Sequence, residues 1–363
     1  MRRCLAMLAT AALLATGCAR PIGIATLARL QYVSPPCRFA VTSGGGPAAA
    51  AVNWSGPQHP GDLAALDAWC RATGPAVVDA VPVAAPSSAP ADELVVVTWN
   101  LHVGAADLDG FLGRLRAGEF TAGRRVARYV LLLQEARRGG ADVPVALANG
   151  RGAKAIGARA SHVDIVEFAA RYGLAVHYVP SMRNGGAAAR EDRGNAIVST
   201  EPLDDLAAIE LPFERQRRVA VAASIRLRDA AGGEAAVRVA SVHLDAAAAA
   251  RRLWMFGART RQVQALLGAL PAAEPVVVGG DFNTWFGFSD SAYRTMAAAI
   301  PDLAATDRRP TFAGFLRLDH VFSRLPAGWS ATTRRLDDRF GSDHHPILAR
   351  LHPPRPPERL AAP

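Results

Sequence analysis

Six short polar motifs along this chain contain residues that could do chemistry, and each lies in or directly after an apolar run. They supply carboxylate, amide and imidazole side chains, the groups that bind metal ions and transfer protons in proteins. The motifs are Thr98-Trp99-Asn100, Gln134-Glu135, Val242-His243-Leu244, Gly280-Asp281-Phe282-Asn283, Leu318-Asp319-His320 and Ser342-Asp343-His344-His345-Pro346. Together they predict metal-assisted hydrolysis of a phosphate ester, which needs a cation, an oriented water and an acid for the leaving oxygen.

Three of these residues suit a hard divalent cation. Mg²⁺ prefers carboxylate and amide oxygens and usually takes one or two protein carboxylates, with water at its other positions. Asn100, Glu135 and Asp343 fit that description, and Glu135 follows an apolar run, where a charge is costly to bury without a task. We predict that these three residues form a Mg²⁺ site, with Mn²⁺ or Ca²⁺ as alternative ions.

The other motif residues suit proton transfer and phosphate binding. Histidine exchanges protons near neutral pH, and a carboxylate partner fixes its tautomer. His344 is the candidate base, with Asp319 as the carboxylate that braces it. Asp281 and Asn283 lie two residues apart after two glycines, so both side chains can enter one cleft. His243, taken alone, fits an ordinary core or rim histidine better than a catalytic one.

These motifs need strands that bring them to one edge of the protein. Apolar runs predict strands at 94–97, 128–133, 174–178, 196–199, 219–226, 236–244, 275–279, 318–322 and 347–351, and helices at 62–71, 107–116, 163–172 and 251–270. Strands mixed with a few helices favour two sheets packed face to face with helices outside. The polar motifs would then converge at one rim of the sandwich.

The N-terminus has the features of an export signal. Arg2 and Arg3 precede an apolar run at 5–16, which is too short to span a bilayer. The run ends at Ala15-Thr16-Gly17-Cys18, which resembles the processing box of bacterial lipoproteins; an ordinary signal peptide is the alternative. We predict a protein exported to the periplasm or cell surface and anchored to a bacterial membrane through lipid on Cys18.

The chain divides into four predicted segments: a signal peptide and processing box at 1–18, an N-terminal extension and linker at 19–92, a catalytic domain at 93–352 and a loose tail at 353–363. The extension holds Cys37 and Cys70. Disulfides persist in an exported protein, so we predict a Cys37–Cys70 bridge, with two buried thiols as the alternative.

The composition is basic, with a formal charge of +9 and an isoelectric point near 10.2. A basic excess indicates an acidic partner such as nucleic acid or an anionic lipid surface. A coding bias towards arginine and alanine would produce the same excess, since Lys154 is the single lysine.

The motif set from about residue 94 to 351 resembles the endonuclease/exonuclease/phosphatase superfamily, whose fold is deoxyribonuclease-I-like. The resemblance implies an α+β protein: a four-layer α/β/β/α sandwich of two mixed, mainly antiparallel sheets with helices outside. It also implies a metal-dependent hydrolase of phosphoric esters. By position, the family's motifs assign metal binding to Asn100, Glu135 and Asp343, the general base to His344 and its carboxylate partner to Asp319, the water and phosphate contacts to Asp281 and Asn283, and phosphate binding or acid catalysis to His243.

The leaving-group side matches the family less completely. Nucleases of this family can place a glutamate opposite the first histidine; here Asn195 is the candidate, with Glu191 and Asp192 nearby. Arg218, next to Arg217, is a candidate for gripping phosphate, although an exposed arginine pair is an equal alternative. We predict that Asn195 and Arg218 bind substrate.

The substrate class stays open at this point. A nuclease is the first prediction because of the basic charge. A phospholipid or sphingomyelin-type phosphodiesterase would need an exposed apolar hairpin near the cleft, which the sequence does not show. An inositol- or sugar-phosphate phosphatase and a catalytically silent surface binding protein are further alternatives. Trp285 and Phe286 could stack on a base or a lipid backbone, or pack at the rim. We expect a monomer.

Overall fold

The computed structural model describes residues 31–32, 39–41, 52–56, 60–83, 93–145, 162–184, 189–213, 216–228, 234–246, 256–303 and 307–354. The predicted signal segment, Cys18 and Cys37 lie outside these residues. Cys70 is disulfide-bonded, and its pairing with Cys37 stays a prediction. Across the described part of the chain, every helix is too short or too polar to cross a membrane.

The described part of the chain contains fifteen strands and five α-helices. In chain order the strands are β1 (Gln31–Tyr32), β2 (Phe39–Val41), β3 (Asn53–Gly56), β4 (Ala76–Asp79), β5 (Leu94–Asn100), β6 (Tyr129–Gly139), β7 (Ala175–Asn184), β8 (Glu191–Ser199), β9 (Asp204–Glu210), β10 (Val219–Arg228), β11 (Glu234–His243), β12 (Val276–Asp281), β13 (Asp319–Arg324), β14 (Ser330–Arg335) and β15 (Ile347–His352). The helices are α1 (Pro60–Ala72), α2 (Leu108–Ala117), α3 (Ile165–Tyr172), α4 (Phe256–Ala269) and α5 (Ser291–Ala299).

The strands form two mixed sheets. The first has the order β1-β3-β9-β10-β11-β12-β13 and the second the order β14-β15-β5-β6-β8-β7-β4-β2. Parallel pairing joins β3 to β9, β11 to β12, β5 to β6 and β2 to β4, and the other neighbours are antiparallel. The predicted mixed, mainly antiparallel sheets are confirmed.

The two sheets pack face to face, with helices on both outer surfaces. One apolar core fills the space between them and includes Val96 of the second sheet and Val221 and Val277 of the first. A second core packs α2 and α3 on the second sheet, and a third packs α4 and α5 on the first. The predicted four-layer α/β/β/α sandwich is therefore confirmed.

Polar side chains fix the ends of the helices. Asp107 caps α2 by accepting from the Gly110 backbone N–H, and Asp164 caps α3 by accepting from the first-turn N–H groups. Both α2 and α3 end at a glycine in the left-handed region, Gly118 at φ 87° and Gly173 at φ 62°. The predicted helices at 107–116 and 163–172 thus agree with the structure to within two residues.

The structure extends the predicted organisation at several places. Strands β3 and β4 come from the segment predicted as an N-terminal extension, and they pair with β9 and β7 inside the two sheets. Trp54 and Leu66 of that segment are buried in the core between the sheets. Strands β9 and β14 and helix α5 were not predicted from the sequence.

Candidate active site

Strand register brings three of the predicted residues into one row. His243 ends β11 and pairs with Asp281, which ends β12, and Asp281 pairs in turn with Asp319, the first residue of β13. Paired residues on neighbouring strands project to the same face of a sheet. The predicted convergence of the motifs at one rim follows from this register.

The Asp281 carboxylate lies at the centre of the site. Its Oδ2 accepts from Asn100 Nδ2 at 3.0 Å and lies 3.4 Å from His243 Nε2 and 3.8 Å from His344 Nε2. Burial raises the pKa of Asp281 to about 7, because the charged form loses its hydration, and the nearby His344 opposes the rise. A carboxyl group with that pKa can exchange a proton at neutral pH.

His344 is held by a carboxylate on one side and by backbone contacts on the other. Its Nδ1 lies 2.8 Å from Asp319 Oδ2, as predicted for a braced histidine. Its backbone N–H donates to Ser342 Oγ, and its carbonyl accepts from Trp99 Nε1. Burial alone would lower the pKa of His344, but the charges of Asp319 and Asp281 outweigh it and raise this pKa to about 10.

Asp319 is itself fixed from behind. The hydroxyl of Thr311 accepts from the backbone N–H groups of Leu318 and Asp319 at 3.0 and 3.1 Å. The side chain is completely buried, and its second oxygen, Oδ1, makes no hydrogen bond with the described residues. The carboxylate therefore acts chiefly on His344.

His243 has the opposite electrostatic environment. Burial lowers its pKa well below the usual range, and the positive charges of Arg218, His344 and Arg193 lower it further. The sequence left its partner open among Asn195, Glu191 and Asp192. The two carboxylates point elsewhere, since Glu191 pairs with Arg137 and Asp192 with Arg138. The acidic group next to His243 is Asp281 itself.

Glu135 lies inside a strand and not at its end, contrary to the sequence-based expectation. Strand β6 continues to Gly139, and a bulge between Leu133 and Ala136 interrupts its pairing with β8. Glu135 adopts φ 50° in this bulge, a strained conformation for a residue with a side chain. The bulge turns the Glu135 side chain into the cleft.

The other two predicted metal ligands lie at the same end of β5. Asn100 pairs with Gln134, the neighbour of Glu135. The Oδ1 of Asn100 accepts from the His102 backbone N–H at 3.0 Å, and His102 Nδ1 lies 3.6 Å from Asp343 Oδ1. Asp343 is partly exposed, with 38% of its side chain accessible.

The donor set of Asn100, Glu135 and Asp343 fits a hard divalent cation. All three offer oxygen, and the Glu135 carboxylate, half-buried in the cleft, makes no hydrogen bond or ion pair with the described residues. A second group of possible ligands, Asp281, Asp319 and His344, has donor atoms within 4.8 Å of one another. Within this group, His344 and Asp319 already contact each other through Nδ1 and Oδ2. We therefore assign the group to proton transfer rather than to metal binding.

A small, open cleft lies beside His243 and Glu135. It is lined by Glu135, Ser181, Met182, Arg193, Gly194, Asn195, Arg218 and His243. Both predicted substrate-binding residues, Asn195 and Arg218, therefore line one cleft with His243. Asn195 is oriented by its Nδ2, which donates to the Val219 carbonyl at 2.7 Å.

The two adjacent arginines have different environments. Arg217 is buried in an ion pair with Glu210 and donates to the Pro180 carbonyl, away from the cleft. Arg218 reaches the cleft, with its Nε 3.6 Å from Asp245 Oδ1, and both side chains are buried. The alternative of an exposed arginine pair is wrong.

Asn283 and His345, two further residues of the motifs, each contact a backbone carbonyl through the side chain. Asn283 adopts φ 49°, and its backbone N–H donates to Asp281 Oδ1 while its Nδ2 donates to the Leu244 carbonyl. The turn is thus closed by its own aspartate, as Asx turns are. His345 lies half-buried with Nδ1 2.9 Å from the Leu336 carbonyl, in a supporting position.

Exposed aromatic rings lie on two loops beside the catalytic residues. Trp285 and Phe286 follow Asn283 and are 38% and 58% exposed. Phe315 is 73% exposed in the tight turn where Phe312 bridges to Leu316, and the Phe312 ring lies 4.7 Å from that of His344. A short turn with one exposed aromatic side chain, not predicted from the sequence, therefore lies beside His344.

Several site residues were missed from the sequence. Arg193 and Gly194 line the cleft, and Asp245 faces Arg218. Arg193 could have been found, because it lies two residues before Asn195 on a strand and so shares its face. Asp245 left no comparable signal.

Comparison with known proteins agrees with this geometry. The model of the Endonuclease/Exonuclease/phosphatase family matches residues 97–344. The "Uncharacterized protein YbhP" of Escherichia coli (strain K12) is 27% identical over 165 residues, which are 44% of this chain and 62% of that protein. The match thus spans less than two thirds of this relative.

Solved structures are also similar. An endonuclease/exonuclease/phosphatase from Beutenbergia cavernae DSM 12333 has 21% identity and a TM-score of 0.47, covering 73% of this chain and 72% of that one. The human Nocturnin catalytic domain with bound sulfate has 17% identity and a TM-score of 0.46, covering 76% and 97%. Because the family model matches more than half of the chain, this protein belongs to the Endonuclease/Exonuclease/phosphatase family, whose members are metal-dependent phosphoesterases.

Proposed function

We propose that this protein is a Mg²⁺-dependent phosphodiesterase whose substrate is nucleic acid. One observation carries the proposal: the buried Asp281 carboxylate contacts Asn100 and lies within 4 Å of two histidines, one of which is braced by a second aspartate. That arrangement provides a base, a proton relay and a phosphate contact around one point.

Asn100, Glu135 and Asp343 would hold the metal ion. Held there, a Mg²⁺ ion would neutralise charge on the phosphoryl oxygens, and its positive charge would lower the pKa of His344. The unpaired Glu135 carboxylate supports this role, since a half-buried charge with no partner among the described residues is costly to keep. Mn²⁺ and Ca²⁺ are the alternative ions.

The base side of the site is built to accept the proton of an attacking water. Asp319 holds His344 Nδ1, which leaves Nε2 directed towards Asp281 Oδ2 at 3.8 Å. Once His344 has lost its proton, a water beside Nε2 would pass a proton to it, and the Asp281 carboxylate would stabilise the imidazolium that forms. Burial raises the pKa of Asp281 to about 7, so Asp281 can itself exchange a proton at neutral pH.

The opposite side is built to stabilise the developing negative charge. His243 is neutral at physiological pH, because burial and nearby cations lower its pKa, and a neutral imidazole can donate one N–H. Arg218 supplies a positive charge in the same cleft, and Asn283 is fixed beside Asp281 by its backbone contact. These groups suit a phosphate whose oxygens gain charge in the transition state.

The arginines of the cleft, and not the total charge of the protein, favour nucleic acid as the substrate. Many arginines pair with carboxylates, as Arg128 does with Glu201 and Arg259 with Asp290. The cleft, by contrast, contains Arg193 and Arg218 beside His243. Cations in the cleft suit a polyanion, and the exposed rings of Trp285 and Phe286 suit a stacked base.

A phospholipid or sphingomyelin-type phosphodiesterase is the second candidate. The exposed Phe315 turn, beside the Phe312 ring that contacts His344, favours it, since exposed aromatic side chains can enter a lipid interface. Export and lipid anchoring through Cys18 belong to the same proposal. An inositol- or sugar-phosphate phosphatase and a silent binding protein have no separate observation in their favour.

Parallel assays separate these candidates. The purified protein, without its signal segment, is incubated with Mg²⁺ and plasmid DNA, sphingomyelin vesicles or an inositol phosphate, with EDTA as the metal control. We expect Mg²⁺-dependent cleavage of DNA that is lost in D281A and H344A and kept in R226Q, whose arginine is exposed and lies at the opposite end of β10 from Arg218. Cleavage of sphingomyelin alone would favour the second candidate, and EDTA-insensitive ligand binding without cleavage would contradict the enzyme proposal.

A further inference from the structure

We propose that Arg193 forms a subsite for a second phosphate group of the substrate. The preferred substrate would then be a phosphodiester that carries another phosphate next to the scissile one. This inference rests on the phosphodiesterase proposed above and narrows its substrate class to molecules with at least two phosphates.

The position of Arg193 comes from the strand that carries it. Arg193 and Asn195 lie two residues apart on β8 and line the same cleft as His243. Two residues along a strand separate their Cα atoms by about 7 Å. The cleft therefore continues from the catalytic histidine to a cation further along β8.

Arg193 forms no ion pair with the described residues. Its only described polar contact joins Nη2 to the Met182 sulfur at 3.3 Å, with no carboxylate partner among the described residues. Its neighbours differ: Arg137 pairs with Glu191, and Arg138 pairs with Asp192 at 2.7 Å. The unpaired guanidinium is also the one that faces the cleft.

Neighbouring groups leave this charge available for a ligand. Arg218 has Asp245 as its carboxylate neighbour, and the Gln216 amide, in the orientation that satisfies both its ends, accepts from Arg218 as well. Glu135 is assigned to the metal ion. A planar guanidinium with free N–H groups matches two phosphate oxygens at once, which a neutral group cannot do.

The residue after Arg193 must be a glycine because β7 and β8 approach closely there. Gly194 pairs with Pro180, and a Cβ on Gly194 would meet the Val179 carbonyl oxygen at 1.9 Å. The close approach of β7 and β8 at this glycine lies between Arg193 and Asn195. The neighbouring strands β6 and β7 each have a bulge beside this part of β8, which carries both cleft residues.

Binding to the metal-free full chain tests the subsite without turnover. Calorimetry would compare thymidine 3′,5′-bisphosphate with thymidine 3′-monophosphate in the wild type, R193Q and R193K. We expect the bisphosphate to bind about tenfold more tightly than the monophosphate, as one charge-assisted phosphate contact implies. R193Q should lose this preference with unchanged monophosphate affinity, and R193K should keep part of it. Equal affinity for both ligands in the wild type, or equal weakening of both in R193Q, would overturn the proposal.

Turnover with Mg²⁺ then identifies the source of the second phosphate. One arm compares a thymidine dinucleotide with and without a 5′-phosphate; the other compares glycerophosphoinositol with its 4-phosphate. A preference for the extra phosphate in either arm, expressed in KM and lost in R193Q but not R226Q, supports the subsite and names its source. Hydrolysis without preference in both arms overturns it. Absence of all hydrolysis contradicts the proposed function, while the calorimetry still decides the subsite.

Discussion

The two sides of Asp281 differ in how far the protein satisfies its own polar groups. On the base side, Asp319, His344 and Asp281 contact one another, and Asn100 donates to Asp281. On the cleft side, the Glu135 carboxylate and the Arg193 guanidinium have no ion-pair partner among the described residues. The base side is thus organised before a ligand arrives, whereas the cleft side keeps its charges for the metal ion and substrate.

The two histidines express the same contrast. Both Nε2 atoms lie within 4 Å of Asp281 Oδ2. Carboxylates raise the pKa of His344 to about 10, whereas burial and cations lower that of His243 well below its usual range. Without metal, His344 is a cation at neutral pH and His243 is neutral. One fold therefore sets two identical side chains to different tasks.

Removal of the Asp319 charge should have the largest effect on the base side. We expect D319N to lower kcat by about 10²–10⁴-fold, because His344 loses the group that fixes its tautomer. The pKa of His344 should fall, so the limb on which activity rises with pH should move to lower pH. A pH–rate profile of the Mg²⁺ enzyme measures both. An unmoved limb would show that proton loss from His344 does not control the rate.

A methyl group at Gly194 should disturb the cleft side. We expect G194A to destabilise the protein by about 1–3 kcal/mol, because its Cβ would meet backbone atoms of Val179 and Pro180. The matched control is G113A in α2, where a Cβ meets nothing within 4 Å, and which should stabilise by about 0.5–1 kcal/mol. Urea unfolding measures both, and equal effects of the two substitutions would contradict the close approach of β7 and β8.

The smallest predicted effect is the loss of stability in acid that His243 causes. Its folded-state pKa is depressed, so below pH 6.5 the unfolded chain takes up a proton that the folded protein refuses. The wild type should then lose stability relative to H243Q by up to about 1.4 kcal/mol per pH unit as pH falls below 6.5. Urea unfolding in EDTA at pH 7 and pH 5 measures the difference. Parallel stability curves would mean that His243 can be protonated in place.

The base side could be predicted from the sequence because its residues lie where apolar runs end. Asn100 and Asp281 each close a buried strand, and Asp319 opens one, so local pattern and final position coincide. The sandwich followed from the same strands. Strands β9 and β14 were missed because neither contains a long apolar run: β9 is short and has two alanines, and β14 is mostly polar.

The cleft side depends on contacts between distant segments, which no local pattern reports. Glu135 enters the cleft through a bulge that exists only where β6 pairs with β8. Arg217 and Arg218 are adjacent in sequence, yet Arg217 pairs with Glu210 outside the cleft. Arg218 lies beside Asp245 and lines the cleft. The strands of the N-terminal segment were missed for the same reason, since their partners lie in β7 and β9.

Hydrolysis of bis(p-nitrophenyl) phosphate by D281N tests the central claim most directly. Asparagine keeps the size of Asp281 but removes the charge shared by both histidines, and R226Q is the control. We predict that Mg²⁺-dependent kcat falls at least about 10³-fold in D281N, with the folded structure retained by circular dichroism. Activity within a few-fold of the wild type would contradict the account, because the site would then work without its central carboxylate.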